Sequence, residues 1–280
     1  MKIFREPKKL QTWCVRRRMD GRKIALVPTM GYLHEGHLSL IAAAKKKGAD
    51  EIVVSVFVNP VQFGPNEDYA KYPRDEKADL AKCRAAGATA VFFPTPDNMY
   101  LDAHSVYVNE DALSASLCGA RRPGHFRGVC TVVAKLFNLV HPHFAVFGQK
   151  DFQQAAVIRR MVRDLNFDLD IVVAPIIREP SGLARSSRNT YLSDDERARA
   201  TALSQTLFAA QADVKAKKEI RWATARAKIV RVLEQAGLKI DYVEAVDANT
   251  LKPVKTLQKG VAVLLAVYCG KTRLIDNAVM

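Results

Sequence analysis

Short apolar runs alternate with helical stripes through the first two-thirds of this chain, and that alternation points to a sheet covered by helices on both faces. Ile24-Ala25-Leu26-Val27 is apolar, with basic residues before it and a proline after it, as suits a buried strand. Ile52-Val53-Val54-Ser55-Val56-Phe57-Val58 is nearly continuous in β-branched and aromatic residues, the pattern of a parallel strand buried on both sides. Residues 90–93, 144–147 and 171–177 read as further strands. Between the strands, helical spacing marks Leu38, Ile41, Ala42 and Lys45, then residues 75–86, then Val129, Val132, Val133, Leu136, Leu139 and Val140, and last Ile158, Met161, Val162 and Leu165. Sequential strand–helix–strand units imply parallel pairing through right-handed crossovers. The expected fold is a doubly wound α/β domain over residues 1–177. A smaller α+β domain is expected over 178–280, from a capping box at Ser193-Asp194-Asp195-Glu196, a helix near 221–236 and strands at 239–246 and 261–268. The loop 178–189 between them carries three arginines and suits either a closing lid or an ordinary basic linker.

The first strand leads into Pro28-Thr29-Met30-Gly31-Tyr32-Leu33-His34-Glu35-Gly36-His37. Both histidines therefore fall where a strand turns into a helix, where unpaired N–H groups and the helix dipole favour an anion. Imidazoles at i and i+3 share a face, and Gly36 between them adds no side chain to block a phosphate. Zinc is the rival reading. The helical zinc signature spaces its histidines at i and i+4 with a Glu base, however, and no cysteine cluster lies nearby to complete a tetrahedral site. Asn59 and Gln62 follow the second strand and are expected to line the same crevice, because ligands in such sheets bind beyond the carboxyl ends of strands. Gly148-Gln149-Lys150-Asp151 forms a second strand-to-helix junction on that edge, where Lys150 is either a solvated cap or a phosphate ligand. The stretch 121–128 reads as irregular and basic ahead of the next helix.

With 43 Lys and Arg against 29 Asp and Glu, the 280-residue chain carries +14. Much of the excess lies in Arg16-Arg17-Arg18, Lys45-Lys46-Lys47 and the segment 215–231, without the interleaved aromatics a single-strand binder needs. Solvated basic faces are expected and nucleic acid is not. No apolar run approaches the roughly 18 residues of a membrane span, and no signal-peptide core follows Met1. The five scattered cysteines include no C-x-x-C pair, which favours reduced thiols. A cytoplasmic protein without a membrane partner is the expectation.

Taken in order, Pro28–Gly31 with His34-Glu35-Gly36-His37, Phe57-Val58-Asn59-Pro60-Val61-Gln62-Phe63, Tyr72-Pro73-Arg74, Arg122-Pro123-Gly124-His125-Phe126-Arg127-Gly128, Phe147-Gly148-Gln149-Lys150-Asp151-Phe152-Gln153-Gln154 and Ser186-Ser187-Arg188-Asn189 resemble the pantothenate synthetase (pantoate-beta-alanine ligase) family. Asp241-Tyr242-Val243-Glu244 and Thr272-Arg273-Leu274-Ile275-Asp276 extend the likeness towards the C-terminus. The resemblance implies a Rossmann-like sheet of the HxGH nucleotidyltransferase type. It also implies a homodimer and ATP-dependent condensation of pantoate with β-alanine, with Mg²⁺ accompanying ATP. By the family's pattern Met30, Gly31, His34, Gly36 and His37 would hold ATP, with His37, His34 and Lys150 acting in the chemistry. Gly148, Gln149, Lys150 and Asp151 would cover the nucleotide, the backbone of Ile177 would meet the adenine, and Arg185, Ser186, Ser187 and Arg188 would close on it. Gln62 and Gln154 would bind pantoate, Gln62 would also serve β-alanine, and Asp79 is the carboxylate offered for Mg²⁺. Two residues depart from the family's habit: Arg185 replaces a Met or Leu, and Ser181 replaces an Asp. His141 and His143 also differ from it and suit a surface turn. A nucleotidyltransferase acting on a phosphorylated acceptor is the enzyme alternative, against which the neutral Gln62 and Gln154 weigh.

Overall fold

Strands β1 (Lys2–Phe4), β2 (Ile24–Thr29), β3 (Glu51–Val56), β4 (Ala90–Phe92), β5 (Phe144–Gly148) and β6 (Asp170–Ala174) form one parallel sheet in the order β1-β4-β3-β2-β5-β6. The computed structural model describes residues 1–65, 67–217 and 219–280, so Asn66 and Lys218, the latter in the basic segment 215–231, lie outside the described residues. Helices α1 (Pro7–Met19), α2 (Glu35–Lys46), α3 (Glu76–Ala86), α4 (Pro96–Met99), α5 (Leu117–Arg121), α6 (His125–Val140) and α7 (Phe152–Asp164) fill the connections. Strand alternation decides which side chain faces which layer. Ala25 and Val27 share a buried cluster with Leu40, Ile41 and Ala44 of α2, while Ile24 and Leu26 are fully buried on the opposite face. Helices α1 and α6 pack on each other and on β2. Strand order reverses between β2 and β5, the switch point at which such sheets bind ligands.

The chain divides into two compact units, one of Met1–Gly148 with Gln154–Ala174, the other of Gln149–Gln153 with Pro175–Met280. In the second unit, α8 (Asp194–Ala200) opens on the capping box of Ser193 and Glu196. It is followed by α9 (Ala202–Lys217), β7 (Ile220–Arg221), α10 (Trp222–Gln235), β8 (Lys239–Asp247), β9 (Thr256–Leu257), β10 (Val261–Cys269) and β11 (Thr272–Val279). An antiparallel sheet in the order β11-β10-β8 shares one core with Leu203, Leu207, Ile229 and Leu233.

Several elements differ from the sequence expectation, each for a local reason. Strand β6 ends at Ala174, so Ile177 lies beyond it, and its carbonyl accepts the N–H of Arg185 at 2.9 Å. Helix α6 begins inside the stretch read as irregular, because Gly124 takes a left-handed φ of 81° that turns the chain into His125. Leu165 does not join the stripe of α7: the helix stops one residue earlier, Leu165 is 52% exposed, and Ala155 and Val157 complete the buried face with Ile158 and Met161. His143 is more than a surface residue, for its Nδ1 accepts the N–H of Ile24 at 3.0 Å and fixes the start of β2. The basic clusters are partly matched by carboxylates, Arg17 with Asp20 and Glu51, Arg18 with Asp168, and Lys47 with Asp170. Exposed pairs of this kind contribute only about 0–1 kcal/mol each. Among the described residues no helix is long and apolar enough to cross a membrane.

Candidate active site

The turn between β2 and α2 is built by two left-handed residues, Gly31 at φ 84° and Tyr32 at φ 50°. A side chain at position 31 would meet Val56 Cγ1 at 2.8 Å, so glycine is required there by space as well as by conformation. The conformation of Tyr32 is costly by about 1–2 kcal/mol, and α3 offsets it. Asp79 accepts the N–H groups of Tyr32 and Leu33 at 2.8 and 2.7 Å, and Lys82, one turn on, donates to the Leu33 carbonyl at 2.6 Å. Burial pushes the Asp79 carboxyl upward, against the pull of these two donors and of Lys82. Asp79, the carboxylate offered for Mg²⁺ by the resemblance, thus holds the loop with both of its oxygens. Among the described residues no group of three or more His, Cys, Asp or Glu is gathered to hold a metal ion. Asp79→Ala, which leaves the buried N–H of Leu33 and the half-buried N–H of Tyr32 unmatched, is expected to cost about 1–4 kcal/mol and to raise KM for the ligand of this loop. Chemical denaturation checks the first, and a wild-type midpoint would show that the loop holds itself.

His34 and His37 cap α2 reciprocally. The Nδ1 of His34 accepts the N–H of Gly36 at 3.1 Å, and the Nδ1 of His37 accepts the N–H of His34 at 3.2 Å. This is a capping box with imidazoles in the places ordinarily taken by Ser or Thr and by Glu or Gln. The rings lie 4.0 Å apart, inclined at 32°. Because both Nδ1 atoms accept, the hydrogen-bond pattern assigns each neutral ring its proton at Nε2. The cap therefore places two imidazole N–H groups at a helix N-terminus, an arrangement suited to an oxyanion.

Gln62, 8% exposed, stands beside this loop, with its Nε2 donating to the Met30 sulfur at 3.2 Å and its Oε1 accepting from Asn59 at 3.0 Å. Asn59 in turn accepts from the Tyr100 hydroxyl at 2.7 Å and donates to the Gly128 carbonyl. The main chain of Gln62 is held as well. His125 Nδ1 donates to its carbonyl at 2.9 Å, because Arg122 can only donate to the other ring nitrogen, which it does at 3.0 Å. Arg122 forms two further hydrogen bonds, both of 2.6 Å, to Glu67. Burial works to raise the Glu67 carboxyl, but these bonds and the Arg122 charge outweigh it and leave it below the usual range. Gln62 thus touches the loop at Met30, and Tyr100, His125, Arg122 and Glu67 support Asn59 and Gln62 unforeseen.

In the second unit, Lys150 and Asp151 lie in a turn with Nζ 3.8 Å from the carboxylate, between Gly148, which ends β5, and α7, whose first turn carries the half-buried Gln154. The loop 178–189 is tied down rather than slack. Glu179 accepts from Arg197 at 2.7 and 2.8 Å and from Asn189 at 2.9 Å, with Arg185 at 3.8 Å. Ser186 caps the short helical turn Ser187–Tyr191 by accepting the Arg188 N–H at 3.3 Å.

A parallel sheet with a histidine-capped helix at its switch point defines an α/β enzyme of the nucleotidyltransferase type. A family model described as pantoate-beta-alanine ligase matches residues 2–279. The pantothenate synthetase of Clostridium acetobutylicum is 54% identical over 92% of each chain, and that of Thermosipho melanesiensis is 50% identical over 100% of this chain and 99% of its own. The crystal structure of pantothenate synthetase from Thermus thermophilus superposes with a TM-score of 0.91 at 40% identity over 99% of each chain. That of pantoate-beta-alanine ligase from Francisella tularensis, complexed with beta-gamma ATP and beta-alanine, gives 0.82 at 33% identity over 100% of this chain and 97% of that one. The chain belongs to the pantoate-beta-alanine ligase family.

Proposed function

We propose that this enzyme joins pantoate to β-alanine through a pantoyl-adenylate intermediate, releasing AMP and pyrophosphate. The histidine-capped N-terminus of α2 carries the reading, because it presents N–H donors to an anion at the switch point, next to a buried neutral amide at Gln62. A carboxylate is a poor acyl donor at neutral pH. Its oxygen attacks the α-phosphorus of ATP, the bond to pyrophosphate breaks, and the mixed anhydride forms. The amine of β-alanine then attacks the acyl carbon, AMP leaves, and the amine loses a proton. Negative charge grows on the phosphate oxygens in the first step, and His34 and His37 supply fixed donors for it without reorganisation. Lys150 adds positive charge, Asp151 meets the ribose, and Gly31, Gly36, Gly148 and Gln149 line the nucleotide with little bulk. Gln62 and Gln154 bind pantoate through neutral hydrogen bonds, which suits a hydroxy acid better than a phosphorylated acceptor. Ser186, Ser187 and Arg188 close on the phosphates, with residues 178–280 as the lid. Mg²⁺ arrives with ATP as part of the substrate.

The test is AMP and pyrophosphate release from Mg–ATP with pantoate and β-alanine omitted in turn. Sustained AMP formation is expected only with both. Without β-alanine, pyrophosphate release should stop at about one equivalent per site, because the pantoyl adenylate accumulates with no amine to consume it. Turnover without free AMP would favour the nucleotidyltransferase instead. Arg185 stands where the family favours an apolar residue, and a guanidinium there can stack on adenine. Arg185→Met is accordingly expected to shift KM for ATP by about 2- to 10-fold, the scale of one cation–π contact, and an unchanged KM and kcat would count against the stacking.

A further inference from the structure

Strand β11 carries two polar residues, Asp276 and Asn277, that are 3% and 2% exposed, although it lies at the edge of its sheet. Buried polar groups cost free energy unless matched, and the partners here are specific. The Asn277 amide nitrogen donates to the carbonyls of both Gln149 and Lys150 at 3.0 Å, and its oxygen accepts from Gln149 Nε2 at 3.3 Å. Asn277's own N–H donates to Asp276 at 2.8 Å, and Asp276 receives Arg178 at 2.6 and 2.9 Å. One side chain thus uses both amide hydrogens and its oxygen on a single turn, the turn that bears Lys150.

We propose that Asn277 is a positioning residue for the reaction, fixing the backbone at Lys150 so that its ammonium is preset for the polyphosphate. The inference rests on the reading of Lys150 as a phosphate ligand. A lysine side chain has four rotatable bonds and a compact charge, so its placement depends on where the backbone beneath it is fixed. Two carbonyls held by one buried amide on β11 supply that fixity. Asn is suited to the task because its planar NH₂ group offers two hydrogens to two successive carbonyls, whereas Asp offers none and Ser only one.

The test compares Asn277→Ala, Asn277→Asp, Lys150→Ala and the double variant Lys150→Ala/Asn277→Ala, measuring equilibrium ATP binding and kcat and KM for each substrate. Displacement of a reacting group by about 1 Å costs on the order of 10²-fold. Asn277→Ala is therefore expected to lose about 10- to 100-fold in kcat/KM for ATP, with KM for β-alanine within about 2-fold of wild type. In the Lys150→Ala background the same change should have little further effect, since residues acting through one group are not additive. Asn277→Asp keeps the volume of the side chain while removing both donors, and it carries the test if the alanine variant fails to fold. Wild-type ATP kinetics in both Asn277 variants, or losses that multiply with that of Lys150→Ala, overturn the inference alone. Wild-type ATP kinetics in Lys150→Ala overturn the reading of Lys150 as well.

Discussion

Replacing His37 by alanine should lower kcat by about 10²- to 10³-fold, the cost of removing one donor aimed at developing negative charge. Two losses combine in this variant. The Nε2 donor disappears, and so does the acceptor for the N–H of His34, which loosens the cap of α2 by about 0.5–2 kcal/mol. The second loss shows in thermal unfolding as a small downward shift in Tm, and the first shows in steady-state turnover. His37→Asn offers a smaller acceptor in place of the imidazole and should recover some of the stability with little of the rate. A kcat for His37→Ala within about 3-fold of wild type would remove this residue from the chemistry, because a lost transition-state donor cannot cost so little.

Gly128→Ala should lower stability and disturb the Gln62 turn together. A Cβ at this position would lie 2.6 Å from the Cα and N of Gln62 and 2.6 Å from the Val61 carbonyl oxygen. All three are backbone atoms, which cannot swing aside as a flexible side chain can. Helix α6 or the turn Pro60–Gln62 must therefore shift, and overpacking of this kind costs about 1–3 kcal/mol or more. The shift falls on the residue assigned to pantoate, so KM for pantoate should rise along with the loss in Tm, while the histidine cap, built on other atoms, keeps its geometry. A variant that melts within a degree of wild type and binds pantoate normally would show that the contact is slack.

Much of the fold is legible in the sequence because the central strands of the parallel sheet are largely buried and apolar. Ile24–Val27 and Ile52–Val54 stand out without any alternation to decode. The placing of His34 and His37 on one face of the first turn of α2 is legible too, from their spacing at a strand end, whereas their reciprocal capping of the helix is not. Strand β11 is not, because Asp276 and Asn277 interrupt its apolar pattern with groups whose partners lie roughly a hundred residues or more away in sequence. The support that Asp79 gives the loop is hidden for the same reason: a single sequence does not show that α3 delivers it to the N–H groups of Tyr32 and Leu33. The start of α6 is hidden at Gly124, whose left-handed φ makes a helix entry of what composition alone reads as a loop. His125 and Arg122 are legible as part of a motif but not as supports of Gln62, a relation that exists only once the chain is folded.

The five residues Gln149–Gln153 belong by packing to the second unit although they lie in sequence between two elements of the first. The polypeptide consequently passes from one unit to the other three times, at 148–149, 153–154 and 174–175. A fragment cut at Pro175 would lack those five residues, leaving the Asn277 amide without the carbonyls of Gln149 and Lys150 and with its buried polar atoms unmatched. The C-terminal region is thus not an exchangeable module that recombination could graft onto another scaffold at a single seam. Such a graft would have to carry along a short loop encoded about twenty residues or more upstream of that seam.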